Sequence, residues 1–121
     1  MEKTHILIVD DEADAGEILS LRLGRRGYDP AYVSSGEAAL AHLAANPVDV
    51  VLLDIKMPGM DGGRVAENLS EDASTSSIPI IFLTGLISQD EVDRQGGYVG
   101  GHPFIAKPFD VKKLTDMIES V

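Results

Sequence analysis

The amino-acid sequence predicts a doubly wound α/β domain, five parallel strands alternating with five helices. Three observations predict it. The runs Ile6-Leu7-Ile8-Val9, Val50-Val51-Leu52-Leu53 and Ile78 to Leu83 are nearly continuous in apolar residues, the pattern of strands buried on both faces by covering helices. Segments with helical spacing separate them. The runs end on polar groups, as strands do when they deliver side chains to one edge of a sheet. With 121 residues, 44% of them hydrophobic, the chain has the size and core of one domain spanning residues 1–121.

The elements follow in order. After the first strand, Asp10-Asp11-Glu12 marks the passage to a helix over Asp14 to Arg26, with Ala15, Ile18, Leu19 and Leu23 near helical spacing and Arg25-Arg26-Gly27 as basic last turn and stop. Capping explains one acid at a helix start, but three in succession exceed what capping requires. Asp29 to Val33 form the second strand, and Ser34 with Glu37 has the spacing of a capping box for a helix through Leu40 and Leu43, ended by Asn46-Pro47. The third strand runs into Asp54, and Pro58-Gly59 and Asp61-Gly62 then turn the chain, so Asp54 stands at the strand's carboxyl end.

A third helix spans Gly63 to about Ser70, with Val65, Ala66 and Leu69 inward. The fourth strand has Pro79 at its start and ends at Thr84-Gly85. Ser88 to Gln95 is a weak helix whose only large apolar residue is Val92, and Gly96, Gly97, Gly100 and Gly101 follow. Phe104-Ile105-Ala106, between Pro103 and Lys107-Pro108, reads as a fifth, edge strand. Asp110 caps a last helix with Val111, Leu114, Met117 and Ile118 on one face.

Composition narrows the function. Twenty acids against ten bases give a net charge of −10, which opposes direct binding to nucleic acid or to anionic membrane. No apolar run approaches the roughly 18 residues of a membrane span, no signal peptide is expected, and there is no cysteine. A soluble, cytoplasmic protein is expected. His5, His42 and His102 lack metal-ligand spacing and read as structural or solvated.

Asp10 and Asp11, Asp54, Thr84 and Lys107 all follow or end strands. Right-handed crossovers bring them to one sheet edge, within side-chain reach if the first strand lies beside the third. Carboxylates so close repel one another unless a cation sits among them, and oxygen-only ligands favour Mg²⁺.

Val9-Asp10-Asp11-Glu12, Leu53-Asp54-Ile55-Lys56-Met57-Pro58-Gly59-Met60-Asp61-Gly62, Leu83-Thr84-Gly85 and Ala106-Lys107-Pro108-Phe109 together resemble the signature of response-regulator receiver domains of two-component signalling, the CheY-like family, over essentially the whole chain. The resemblance implies a flavodoxin-like strand order 2-1-3-4-5 and a phosphorelay phosphoprotein rather than an enzyme acting on other substrates. Asp54 would accept a phosphoryl group from the phosphohistidine of a sensor histidine kinase or histidine phosphotransfer protein, becoming an aspartyl phosphate. Asp11, Asp54 and the backbone carbonyl of Lys56 would ligate Mg²⁺, with Asp10 supporting that shell through water or directly. Lys107 would pair with Asp54 and later with the phosphoryl group, across a Lys-Pro bond that is commonly cis in the family. Thr84 would donate its hydroxyl to the phosphoryl oxygens, Gly85 would leave room, and Phe104 matches an aromatic switch that turns inward when the threonine moves. Output would be a binding event on the face of the fourth helix, fifth strand and fifth helix, to a downstream protein or output domain, with phosphorylation-dependent dimerisation as a further expectation.

Departures from the pattern add two expectations. Lys56 and Leu86 occupy positions that modulate water's access to the phosphoryl group, so autodephosphorylation should be slow. The glycines after residue 95 should leave the fourth helix short or mobile and the output face unusual. Among rivals, a nucleotide binder would have its phosphate repelled by Asp10-Asp11-Glu12, and a haloacid-dehalogenase-type phosphatase needs a second Asp where Lys56 stands. The remaining alternative is a receiver-like interaction module that works without phosphorylation.

Overall fold

The computed structural model describes residues 3–55, 62–85, 89–94, 96, 98–99 and 102–121. The elements run β1 (His5–Val9), α1 (Ala13–Arg25), β2 (Asp29–Val33), α2 (Gly36–Ala45), β3 (Val50–Asp54), α3 (Gly62–Glu71), β4 (Ile80–Thr84), α4 (Gln89–Arg94), β5 (Tyr98–Val99), β6 (His102–Ala106) and α5 (Val111–Ser120). The sheet order is β2-β1-β3-β4-β6-β5. Five of these strands are parallel, in the expected doubly wound order, and the expected fifth strand is β6. The addition is β5, two residues that pair antiparallel with the start of β6, Tyr98 opposite Pro103 and Val99 opposite His102.

Strand periodicity divides the core in two. Leu7, Val9, Val51, Leu53, Phe82 and Phe104 point to the side covered by Val65, Ala66 and Leu69 of α3 and Val92 of α4. Ile6, Ile8, Leu52, Ile81, Leu83 and Ile105 point to the other, against Leu19 and Leu23 of α1 and Leu114 and Ile118 of α5. Alternate residues thus meet opposite helical layers, which is why the strand runs carry no polar alternation. Among the described residues, no helix is long and apolar enough to cross a membrane.

Local details depart from the sequence reading. In α1 the buried stripe is Gly16, Leu19 and Leu23, whereas Ala15 and Ile18 face outward. The i, i+3, i+7 set is the one directed at the sheet, and a tyrosine ring fills the space above Gly16. The cap of α2 is Ser35 rather than Ser34, its hydroxyl accepting from Ala38 N at 3.1 Å. Asp110 caps α5 as expected, accepting from Lys112 N at 2.9 Å. The described residues of α4 run from Gln89 to Arg94 and are anchored by a fully buried Val92. Gly27 ends the α1 turn at φ +93°, where a side chain would be strained. The Lys107–Pro108 bond is cis, the isomer common in the resembled family.

Two contacts tie the layers together. The Tyr28 hydroxyl donates to Glu119 of α5 across the face shared by α1 and α5. Burial first, and then the hydrogen bond and charge of Glu119, push this hydroxyl from 10.0 up to about 12. Gly62 starts α3 against the end of β3. Its N–H donates to the Ile55 carbonyl at 2.8 Å, and a Cβ there would lie 2.4 Å from the Asp54 carbonyl oxygen.

Each contact makes a prediction. Because folding raises the Tyr28 pKa, its stabilising contribution is complete below pH 10.0 and lost as pH rises toward 12. Urea midpoints across that window should fall less steeply for Tyr28→Phe than for the parent, and equal slopes would contradict the assignment. Gly62→Ala should cost about 1–3 kcal/mol in urea unfolding, because the methyl meets rigid backbone rather than a flexible side chain. An unchanged midpoint would show that the β3–α3 junction can yield.

Candidate functional site

Strand register assembles the site. Val9 lies opposite Leu53, Asp54 opposite Leu83 and Thr84 opposite Ala106, so the carboxyl ends of β1, β3, β4 and β6 are level. Asp10, Asp54, Thr84 and Lys107 consequently share one edge, with the Lys107 N–H donating to the Thr84 carbonyl at 2.6 Å. The first strand does lie beside the third.

Asp10 and Asp54 are buried and Asp11 is exposed, and one carboxylate oxygen from each lies within 4.8 Å of the other two. The Lys107 ammonium bridges two of them, 2.9 Å from Asp10 Oδ2 and 3.2 Å from Asp54 Oδ2. The pairing with Asp54 was expected; the closer one with Asp10 was not. Burial pushes the Lys107 ammonium down, but the hydrogen bond to Asp10 and the charges of Asp54 and Asp10 outweigh it, and its pKa lies above the ordinary lysine value. Lysine therefore stays charged at any physiological pH.

Capping does not account for the acids. The N-cap of α1 is Glu12, with no side-chain cap bond, and Asp10 Oδ1 accepts instead from Glu12 N at 2.9 Å, closing an Asx turn. Among these four side chains one ammonium faces three carboxylates, an excess of two negative charges. An all-oxygen donor set with one exposed member and this excess suits a hard divalent cation that retains several waters, as Mg²⁺ does.

The other named residues divide as follows. Thr84 is buried at the end of β4, and Gly85 is exposed beside it. Phe104 is already inside, its ring 4.8 Å from that of Phe82, and His102 sets an edge against Phe82 at 5.4 Å. His5 pairs with Asp29 at 3.0 Å, and His42 lies near Asn46. Lys56, with its carbonyl, and Leu86 lie outside the described residues.

Sequence reasoning missed two contributors. Gly62 was legible only as a turn, though its missing side chain is what lets α3 abut the Asp54 carbonyl. Tyr32, a β2 residue distant in sequence, donates its hydroxyl to the Asp10 carbonyl at 2.6 Å, and nothing local to it signals that contact.

Comparison with known proteins agrees with this geometry. The family model described as the response regulator receiver domain matches residues 6–119. The chain is 40% identical over 122 aligned residues to the "Probable transcriptional regulator ycf27" of Porphyridium aerugineum, covering 100% of this chain and 49% of that protein. It is 34% identical to the sensory transduction protein RegX3 of Mycobacterium tuberculosis, covering 98% of this chain and 50% of that one. It thus spans about half the length of these curated relatives. Among solved structures, the Vibrio cholerae chemotaxis protein CheY4 superposes with a TM-score of 0.85 at 27% identity, covering 99% of both chains. The matched family model, the relatives and the level strand ends carrying Asp10, Asp54, Thr84 and Lys107 agree, and the chain belongs to the response regulator receiver domain family.

Proposed function

We propose that residues 1–121 act as one phosphoaccepting receiver domain in which Asp54 is the acceptor, and the observation that carries this reading is the Lys107 ammonium shared between Asp54 and Asp10. A carboxylate oxygen of Asp54 attacks the phosphorus of a phosphohistidine on a sensor kinase or histidine phosphotransfer protein. The new O–P bond forms as the N–P bond breaks, and the imidazole leaves with that electron pair and takes up a proton. An ionised acceptor needs no general base, so the chain's contribution is placement and charge. Asp11, Asp54 and, as the family resemblance implies, the Lys56 carbonyl would hold Mg²⁺, with Asp10 supporting that shell through water or directly, and the ion would supply charge neutralisation for the phosphoryl oxygens. Lys107 follows the negative charge from the carboxylate to the phosphoryl group, a task suited to a flexible point charge. Thr84 donates its hydroxyl to the same oxygens.

The readout is a population shift. Phe104 exchanges between its packing on Phe82 and an outward position, and phosphorylation, through Thr84, holds the inward one. The face of α4, β6 and α5 then binds a downstream protein or output domain, or a second copy. The reaction is set in the cytoplasm, and the chain also takes part in loss of its own phosphoryl group, slowed by Leu86 and Lys56.

The test is intact mass after incubation with Mg²⁺ and acetyl phosphate. One phosphoryl addition that requires Mg²⁺ and is absent in Asp54→Asn is expected. No addition to a folded, Mg²⁺-binding protein would favour the phosphate-independent interaction module. If Leu86 shields the acyl phosphate, Leu86→Asn should shorten its lifetime several-fold, followed by the decay of the phosphorylated mass; an unaltered decay would remove shielding from the account.

A further inference from the structure

The floor of the acid cluster is held by a contact that the phosphoacceptor reading does not use. Asp10 is engaged at every polar atom. Its N–H donates to the Val33 carbonyl at 3.2 Å, Oδ1 accepts from Glu12 N, Oδ2 accepts from Lys107, and its carbonyl accepts from the Tyr32 hydroxyl at 2.6 Å. Tyr32 pairs in register with Ile8, two residues before Asp10, so its ring must lean along the sheet toward α1 to reach that carbonyl. The path it takes is open only because residue 16 is glycine. A Cβ at Gly16 would lie 2.1 Å from Tyr32 Cε1 and 2.5 Å from Cδ1, inside the ring's own volume.

Glycine is a poor helix former relative to alanine, and Gly16 lies in the first half of α1 with no positive φ to require it. The ring of Tyr32 is what this glycine accommodates.

We propose that Tyr32, seated over Gly16, is a positioning residue that fixes the Asp10 main chain and thereby the spacing of the cation-binding acids Asp10 and Asp11. The proposal rests on the reading of Asp10, Asp11 and Asp54 as a Mg²⁺ site. With its carbonyl, amide and Oδ1 all tied to the protein, the Asp10-Asp11 turn cannot open under the mutual repulsion of the carboxylates before the cation arrives. Preorganisation of this kind appears as affinity, because the ordering is complete before binding.

Calorimetric titration with Mg²⁺ alone tests it, comparing the parent with Tyr32→Phe, which keeps the ring over Gly16 and loses only the hydroxyl. Ile118→Val, a buried change on α5 away from the acids, serves as a control for general loosening. Tyr32→Phe should bind Mg²⁺ about three- to tenfold more weakly, the factor of one lost hydrogen bond, while Ile118→Val binds as the parent does. In the metal-free protein the backbone amide resonance of Asp11, whose peptide includes the Asp10 carbonyl, should shift in Tyr32→Phe. Parental affinity in Tyr32→Phe, or equal weakening in Ile118→Val, would overturn the positioning role alone. A parent that binds no Mg²⁺ would overturn the site reading and this inference with it.

Discussion

The Lys107 ammonium, 2.9 Å from Asp10 and 3.2 Å from Asp54, is shared between two carboxylates that the sheet buries. Burying two like charges side by side is costly, and the cost is met only when donors surround them. Here the donors are this lysine, shared by both acids, and the Glu12 N–H on Asp10, and the lysine's reach to both depends on strand register. Asp10 follows β1, Asp54 ends β3, and Lys107 follows β6, so a slip of one residue in any of these strands would break the bridge and exchange the residues that the two helical layers receive. The apolar strand runs supply the driving force of folding, and the charges at their ends specify how the strands align.

The same arrangement leaves a surplus. One ammonium does not balance three carboxylates, and the exposed Asp11 keeps the cluster open on one side. A site in that condition favours a divalent cation. The Lys107 N–H bonded to the Thr84 carbonyl links the charge centre to the end of β4, and Thr84 lies opposite Ala106 on the strand that also carries Phe104. A change of charge at Asp54 thus has a short physical route to the aromatic packing of Phe82 and Phe104.

Much of this was legible in the residues. Val50 to Leu53 could only be a doubly buried strand, and its ending on Asp54 before Pro58-Gly59 placed the acid at the sheet edge. The repeated pattern of strand followed by polar group at Asp10, Thr84 and Lys107 located the rest. Side-chain partnership across distance was not legible. The Ser34–Glu37 spacing imitated a cap one residue early, and Ile18 looked inward because helical spacing alone does not say which of two adjacent stripes faces the sheet. Gly16 and Gly62 looked like ordinary glycines because the groups that fill their missing side-chain space, Tyr32 and the Asp54 carbonyl, come from other segments. The β5 pairing escaped notice because two residues are too few to show a period.

The acids at this edge carry uncompensated negative charge, the condition that a bound divalent cation would relieve. Thermal unfolding of the parent and of Asp11→Asn, each with and without Mg²⁺, tests it most directly. Mg²⁺ should raise the parent's midpoint by mass action. Asp11→Asn should melt higher than the metal-free parent, because one repelling charge is gone, and should gain little from Mg²⁺. A parent midpoint indifferent to Mg²⁺, together with an Asp11→Asn variant that melts lower, would show that the cluster's charge is balanced without a cation.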